Sequence, residues 1–205
     1  MKRIIIALLA TVAAVNISAQ ELSLGVVGGL NFAWTRAKTL GISISSDSYV
    51  GFQAGAKVEL DMASYITDGF FLEGSLLYNL KGNNYSGMHT NLGYLQLPIN
   101  LGYRFPLSGS VSLMGVAGPY VALGVLGKEV EKLDNSKVKT NVFGESYKRF
   151  DLGLNYKLGV ELWQQWQIYL GFEHGLVNML KQDNDEDLAG KARVLNCYIG
   201  TAYMF

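Results

Sequence analysis

The sequence predicts an all-β fold: a closed, antiparallel, up-and-down transmembrane β-barrel of about eight strands. Three observations carry this reading. Apolar and polar residues alternate with period two along almost the whole chain after residue 20. The N-terminus has the make-up of an export signal. The C-terminus closes an amphipathic aromatic strand, Arg193 to Phe205, on Tyr203 and Phe205. An exported chain ending in such a strand is expected in the cell outer membrane.

The export signal comes first along the chain. Met1, Lys2 and Arg3 form a basic start, Ile4 to Val15 an apolar run, and Asn16 to Gln20 a small-residue cleavage region. The run is about a dozen residues, short of the roughly 20 a spanning helix needs. Residues 1–19 are therefore expected as a cleaved signal peptide and residues 20–205 as one barrel domain. No later segment is a continuous apolar run, which is compatible with a membrane crossed by strands.

Alternation then places the strands. In Glu21 to Arg36, Leu22, Leu24, Val26, Leu30, Phe32 and Trp34 share one face. In Tyr49 to Asp61, Val50 to Leu60 alternate with Gln53, Lys57, Glu59 and Asp61. Phe70 to Lys81 sets Leu72, Leu76, Tyr78 and Leu80 against Glu73, Ser75, Asn79 and Lys81. Gly93 to Phe105 sets Leu95, Leu97, Ile99, Leu101 and Tyr103 against Gln96, Asn100 and Arg104. Val111 to Leu126 is apolar on both faces, so its phase is open. Phe150 to Trp163 alternates most clearly, with Asp151, Asn155, Lys157 and Glu161 on the polar face. Trp166 to Leu176 and the closing strand complete the set. Apolar residues at i and i+2 would fall on different sides of a helix.

Connector lengths alternate in the same order. Ala37–Ser48, Asn83–Leu92, Gly127–Arg149 and Val177–Ala192 are long, whereas Met62–Gly69, Pro106–Ser110 and Gln164–Gln165 are shorter. Barrels of this kind keep short turns on the periplasmic side and long loops outside. Charged residues such as Lys128, Glu129, Asp183 and Asp185 fall in the long connectors.

The apolar face must meet lipid in a membrane barrel, which turns the charges inward. Aromatics near the strand ends (Trp34, Phe70, Phe105, Phe150, Trp166 and Phe205) suit interfacial girdles. An eight-stranded barrel is just wide enough to be filled by side chains, and buried charges persist when paired. A lumen network is expected in which Lys57, Lys81, Arg104 and Lys157 meet Glu59, Asp61, Glu73, Asp151, Glu161 and Glu173. It reads either as a structural polar core or as a narrow ion path or proton-linked gate. Pro98 removes a ladder hydrogen bond, so a bulge or bend is expected there, and Pro119 could make another.

Other chemistry is weakly represented. The formal net charge of +0 gives no sign of nucleic-acid binding. Cys197 is the single cysteine and reads as a small apolar strand residue. His89 and His174 fit no nucleophile–base arrangement, so no enzyme is expected. The acidic run Asp183 to Asp187 lacks the spacing of a calcium loop. Gly25 to Gly29 is not followed by a helix and is no phosphate loop. No cofactor or metal is expected.

Four segments are more specific. Tyr94-Leu95-Gln96-Leu97-Pro98-Ile99-Asn100-Leu101, Ala117-Gly118-Pro119-Tyr120, Phe150-Asp151-Leu152-Gly153-Leu154 and Gly171 through Asn178 resemble, in order, strands of the PorT-like outer-membrane β-barrel family. The resemblance implies an outer-membrane barrel of a diderm bacterium but no single activity; PorT itself is associated with protein secretion. The expected function is a structural or interaction barrel using long extracellular loops. The alternatives are a narrow porin-like channel for ions or small solutes and an accessory component of protein secretion. Expected partners are outer-membrane lipid, a protein at the outer loops, and the barrel-insertion machinery. A C-terminal aromatic resembles the signal that this machinery reads, which makes Tyr203 and Phe205 the expected assembly signal.

Overall fold

The computed structural model describes residues 22–39, 42–45, 48–85, 88–133, 136–141, 143, 148–178 and 191–205. The expected signal peptide and the acidic run at 183–187 lie outside these residues. The described elements are β1 (Leu22–Thr39), β2 (Ile42–Ser45), β3 (Tyr49–Asp61), β4 (Phe70–Tyr85), β5 (Met88–Ser108), β6 (Val111–Leu133), β7 (Ser136–Asn141), β8 (Phe150–Leu162), β9 (Trp166–Gly175) and β10 (Lys191–Met204).

Eight of these strands form the wall, in the order β10-β9-β8-β6-β5-β4-β3-β1, and β1 pairs back to β10 to close it. The short strands β2 and β7 pair only with the loop ends of β1 and β6. Every pairing is antiparallel. Closure removes the edges that an open sheet would expose.

The register fixes the shape. Starting at Leu22, pairing runs through Leu60, Leu72, Leu101, Ala117, Tyr156, Phe172 and Cys197 and returns to β1 at Phe32. The circuit comes back ten residues further along the strand, from 22 to 32. With standard strand spacings, eight strands and this stagger give a tilt of about 40°. The lumen of such a barrel is just wide enough for side chains to fill.

The apolar residues of every wall strand face outward. Leu158, 69% exposed, and Leu170, 62% exposed, stand mid-strand with no protein neighbour to cover them. Two aromatic belts bound this band. At the short-turn end Phe70 packs on Tyr103 with ring centroids 4.9 Å apart, and Trp166 on Tyr203 at 5.0 Å. At the loop end Trp34 meets Phe172 at 6.2 Å and Phe52 meets Tyr78 at 6.0 Å. The thirteen residues of β8 span roughly 30 Å of height at the inferred tilt, close to the thickness of a bilayer core. The phase left open for Val111 to Leu126 is resolved: Met114, Val116, Tyr120 and Ala122 are buried in the lumen, and Leu113, Val121 and Leu123 face out.

Two expectations change. The connectors Asn83–Leu92 and Gly127–Arg149 are largely strand: β4 and β5 stay paired out to Tyr85 and Met88, and β6 runs on to Leu133 and returns as β7. These hairpins extend past the apolar band, where backbone bonds can hold a ladder whose faces are both polar. No period-two apolar pattern marks them for that reason.

The register also passes Pro98 without a shift, since Gly74 pairs with Ile99 and Leu77 with Gln96. The ladder lapses opposite Pro98 but does not bulge. The register shifts of β5 lie at Gly93/Tyr94 and Pro106/Ser108 instead. On β6, Pro119 keeps its pairing with Leu154, and its missing donor faces a gap in the β5 ladder.

The short turns are tightly built. Trp163 and Gln164 both take left-handed backbone, at φ 51 and 60, and the Gln165 N–H donates to the Leu162 carbonyl at 3.0 Å. That is the primed turn that suits the twist of a hairpin.

Candidate functional site: the polar lumen

Between the two aromatic belts, the described charges of the wall strands all lie on the inward face. Three bodies of side chains occupy the lumen in succession from the short-turn end to the loop end.

Nearest the short turns, Arg104 on β5 bridges two carboxylates. Its Nε donates to both oxygens of Glu161 at 2.9 and 3.0 Å, and its Nη2 contacts Glu59. The guanidinium lies 3.9 Å over the Phe71 ring. Gln167 fills the space between, donating to Glu59 at 3.0 Å and Glu161 at 2.8 Å while accepting from Lys57.

In the middle, Glu73 receives two cations. Lys57 reaches its Oε2 at 2.7 Å and Glu59 at 2.8 Å, and Lys157 reaches Glu73 from across the lumen. Asn100 donates to Glu73 at 2.8 Å and accepts from Asn155, which in turn accepts from the Tyr198 hydroxyl. Glu73 is fully buried. An unpaired carboxylate there would carry a large desolvation cost, and two ammonium groups offset it.

Toward the loops, Lys81 pairs with Glu173 at 2.7 Å and donates to Gln96 at 3.0 Å. Gln96 and Asn196 both donate to Glu173. Asn31 and Asn79 extend this chain of amides to β1. The Lys81 ammonium also lies 5.0 Å from the Tyr120 ring centroid. The Tyr120 hydroxyl donates to Asp151 at 3.0 Å.

The charges of the two lower bodies balance: Lys57, Lys157 and Arg104 stand against Glu59, Glu73 and Glu161. The mid-lumen space among Gln53, Pro98, Lys157, Tyr169 and Tyr198 has room for about one water molecule.

Rings as well as charges fill the tube. Phe71, Tyr120, Tyr169 and Tyr198 are buried, and each lies directly opposite a glycine on a neighbouring strand: Gly102, Gly153, Gly200 and Gly171 respectively. In every case a Cβ on the glycine would overlap the ring. Flattened against the wall in this way, the rings leave the axis to the polar groups.

Of the ten charges expected in the lumen, the structure brings Lys57, Glu59, Glu73, Lys81, Arg104, Lys157, Glu161 and Glu173 into ion pairs. Asp151 is buried but bonds Tyr120 rather than a cation. Asp61 does not join: it ends β3 at the open rim, is exposed, and accepts from the Ala63 N–H at 2.8 Å within the turn. Alternation alone gave Asp61 the inward parity, but the rim has no facing wall to enclose it.

The sequence reading missed the amides Gln167, Asn155 and Asn196 and the tyrosines Tyr120 and Tyr198 as members of the network. Asn155 shares the parity of Lys157 and Glu161 on β8, and Gln167 that of Glu173 on β9, which was the available signal; Asn196, Tyr198 and Tyr120 lie on β10 and β6, whose barrel-spanning parts carry no inward charge to mark them. The adjacent pair Glu173 and His174 points to opposite sides of the wall, so it forms no catalytic couple. Tyr203 packs between Trp166 and Phe205, and the Phe205 N–H donates to the Leu24 carbonyl at 2.8 Å, which ties the C-terminus to the start of β1.

Among solved structures, Neisserial surface protein A is 14% identical, with a TM-score of 0.47 over 89% of this chain and 97% of that one. The attachment invasion locus protein Ail of Yersinia pestis is 17% identical, with a TM-score of 0.41 over 89% of this chain and 99% of that one. The outer membrane protein OprG from Pseudomonas aeruginosa is 13% identical, with a TM-score of 0.43 over 89% of this chain and 95% of that one. No curated protein matches the chain. The family described as "Outer membrane protein beta-barrel domain" matches residues 5–205. The chain therefore belongs to the outer membrane protein β-barrel domain family, and its place is the cell outer membrane.

Proposed function

We propose that this protein is a closed structural and interaction barrel, in which the lumen serves as a rigid core and the loop-end hairpins make the functional contact. The observation that carries the reading is the Glu73 cluster. Lys57 and Lys157 meet on one carboxylate in the middle of the tube, with Asn100 and Tyr198 holding the surrounding amides. A path for ions would need mobile water where these groups bond each other. The hairpins of β4–β5 and β6–β7 stand beyond the apolar band and give the barrel its projecting backbone.

The protein partner expected at these loops is tested by photo-crosslinking in intact outer membranes, with the probe placed in the β6–β7 hairpin. A partner captured by the native hairpin and lost when residues 128–141 are replaced by a short turn supports the reading. Identical capture with both chains would overturn it.

A second reading follows from the PorT-like motifs, which include Tyr94 and Pro98 on β5 and Phe150 and Asp151 on β8. In it the barrel is an accessory component of protein secretion. A deletion strain with unchanged secreted protein would remove that alternative. Catalysis is not part of the proposal: a His174→Ala strain is expected to keep its outer-membrane lipid composition. Insertion of the barrel is proposed to depend on the aromatic end at Tyr203 and Phe205.

A further inference from the structure

The lipid-facing surface carries one charged anomaly. Arg36 on β1 and Arg193 on β10 are direct cross-strand partners, and both are exposed on the outer face. Like charges directly opposite one another on a sheet repel and destabilise the pair. Neither arginine has an ion-pair partner among the described residues. On the flanking strands, Glu173 of β9 is buried in the lumen, and β2 places Ser45 in register with Arg36; Asp151 on β8, one strand further round, is buried as well.

The height of this pair is equally specific. Trp34 and Leu195 form the pair two residues below, and Trp34 packs on Phe172 in the loop-end aromatic belt. Two residues along a strand tilted by about 40° rise roughly 5 Å. Arg36 and Arg193 therefore stand just beyond the apolar band, within the headgroup layer, which is about 5–7 Å thick on each side. His174, on the outer face of β9 opposite Leu195, adds a nitrogen to the same sector. Between the two aromatic belts, the described outward residues include no Lys, Arg, Asp or Glu.

We propose that the β9–β10–β1 sector is a lipid-phosphate site, in which Arg36 and Arg193 share the phosphate of an outer-leaflet lipid headgroup. Two guanidinium groups borne by directly paired residues can together hold a tetrahedral oxyanion, and the anion would remove the repulsion between them. The acyl chains of the same lipid would lie down the adjoining surface of Trp34, Phe172 and Ile199. Apolar contact and charge thus act on one molecule, which is the reason to assign a lipid rather than a free anion.

Trp34 reports on the site directly. The test uses the full barrel carrying Trp163→Phe and Trp166→Phe, so that Trp34 is the single indole, folded into phosphatidylcholine vesicles. Brominated chains are placed on either added phosphatidic acid or an equal amount of phosphatidylcholine. The expected result is selective quenching by the brominated phosphatidic acid, corresponding to a local preference on the order of tenfold. Arg36→Gln with Arg193→Gln should abolish the preference, and Arg36→Lys with Arg193→Lys should weaken it to an intermediate level, because the ammonium groups keep the charge but not the fork. Heat-dependent gel migration checks that each variant has closed its barrel. Equal quenching by the two lipids, or a preference that survives the double Gln change, would overturn the proposal. Loss of the preference on adding excess inorganic phosphate would make this a free-anion site and would also overturn the lipid assignment.

Discussion

Tyr198 on β10 lies directly opposite Gly171 on β9, and its ring occupies the space where a Cβ on residue 171 would sit. The same hydroxyl reaches on to Asn155, so one close approach positions a link in the central polar cluster. Gly171→Ala must therefore displace the ring or the strand. The expected cost is about 1–3 kcal/mol, the usual range for overpacking. Urea unfolding of the barrel in lipid vesicles measures it. A change below about 0.5 kcal/mol would show that the ring moves aside freely.

The Glu73 cluster makes a sharper case. Replacing Lys157 with Met leaves Glu73 with a single ammonium partner, Lys57, while Glu73→Leu strands Lys157 and leaves Lys57 only its pairing with Glu59. Breaking a buried pair from one side typically costs about 3–5 kcal/mol. Glu73→Leu should fall in that range. The double change Glu73→Gln with Lys157→Met should cost less than the sum of its single changes. A double-mutant cycle by urea unfolding reads the coupling, and additive costs would contradict a shared charge.

Leu158 tests which side of the wall meets lipid. It stands near the middle of β8, 69% exposed. Arginine at the bilayer midplane of a barrel costs about 2–4 kcal/mol. Leu158→Arg should show that loss in vesicles. A neutral result would place the apolar face in water.

Phe205 separates assembly from stability. It is 75% exposed and makes no contact with the lumen groups, although its N–H ties to Leu24. Phe205→Asp should therefore leave the unfolding free energy of barrel refolded in vitro within about 1 kcal/mol. Its outer-membrane level in cells should fall several-fold, as read by immunoblot of membrane fractions. Normal levels would count against the role of the terminal aromatic.

The wall was legible because lipid imposes a simple rule. Each strand must put apolar residues outward, so Leu152, Leu154, Tyr156 and Leu158 announce both the strand and its phase. Val111 to Leu126 was ambiguous because Met114 and Val116 face inward, where Phe71 covers the wall, and so remove the contrast between faces. The hairpins beyond the band were illegible as strands because water accepts both of their faces.

The inward charges were legible as a set but not as pairs. Partners are chosen by the ten-residue stagger of the barrel, which brings Lys157 to Glu73 across 84 residues of sequence. Nothing local to either residue encodes that meeting. Pro98 shows a related limit: a missing donor is visible in the sequence, but whether the ladder bulges depends on both neighbouring strands.

The central claim is that bonded side chains close this lumen. Single-channel recording of the purified full-length barrel in planar bilayers tests it most directly. The expected record is a flat baseline without stable conductance steps. A steady conductance whose size changes in Lys157→Ala or Arg104→Ala would contradict it, because current would then be passing the Glu73 and Glu161 ion pairs that fill the lumen.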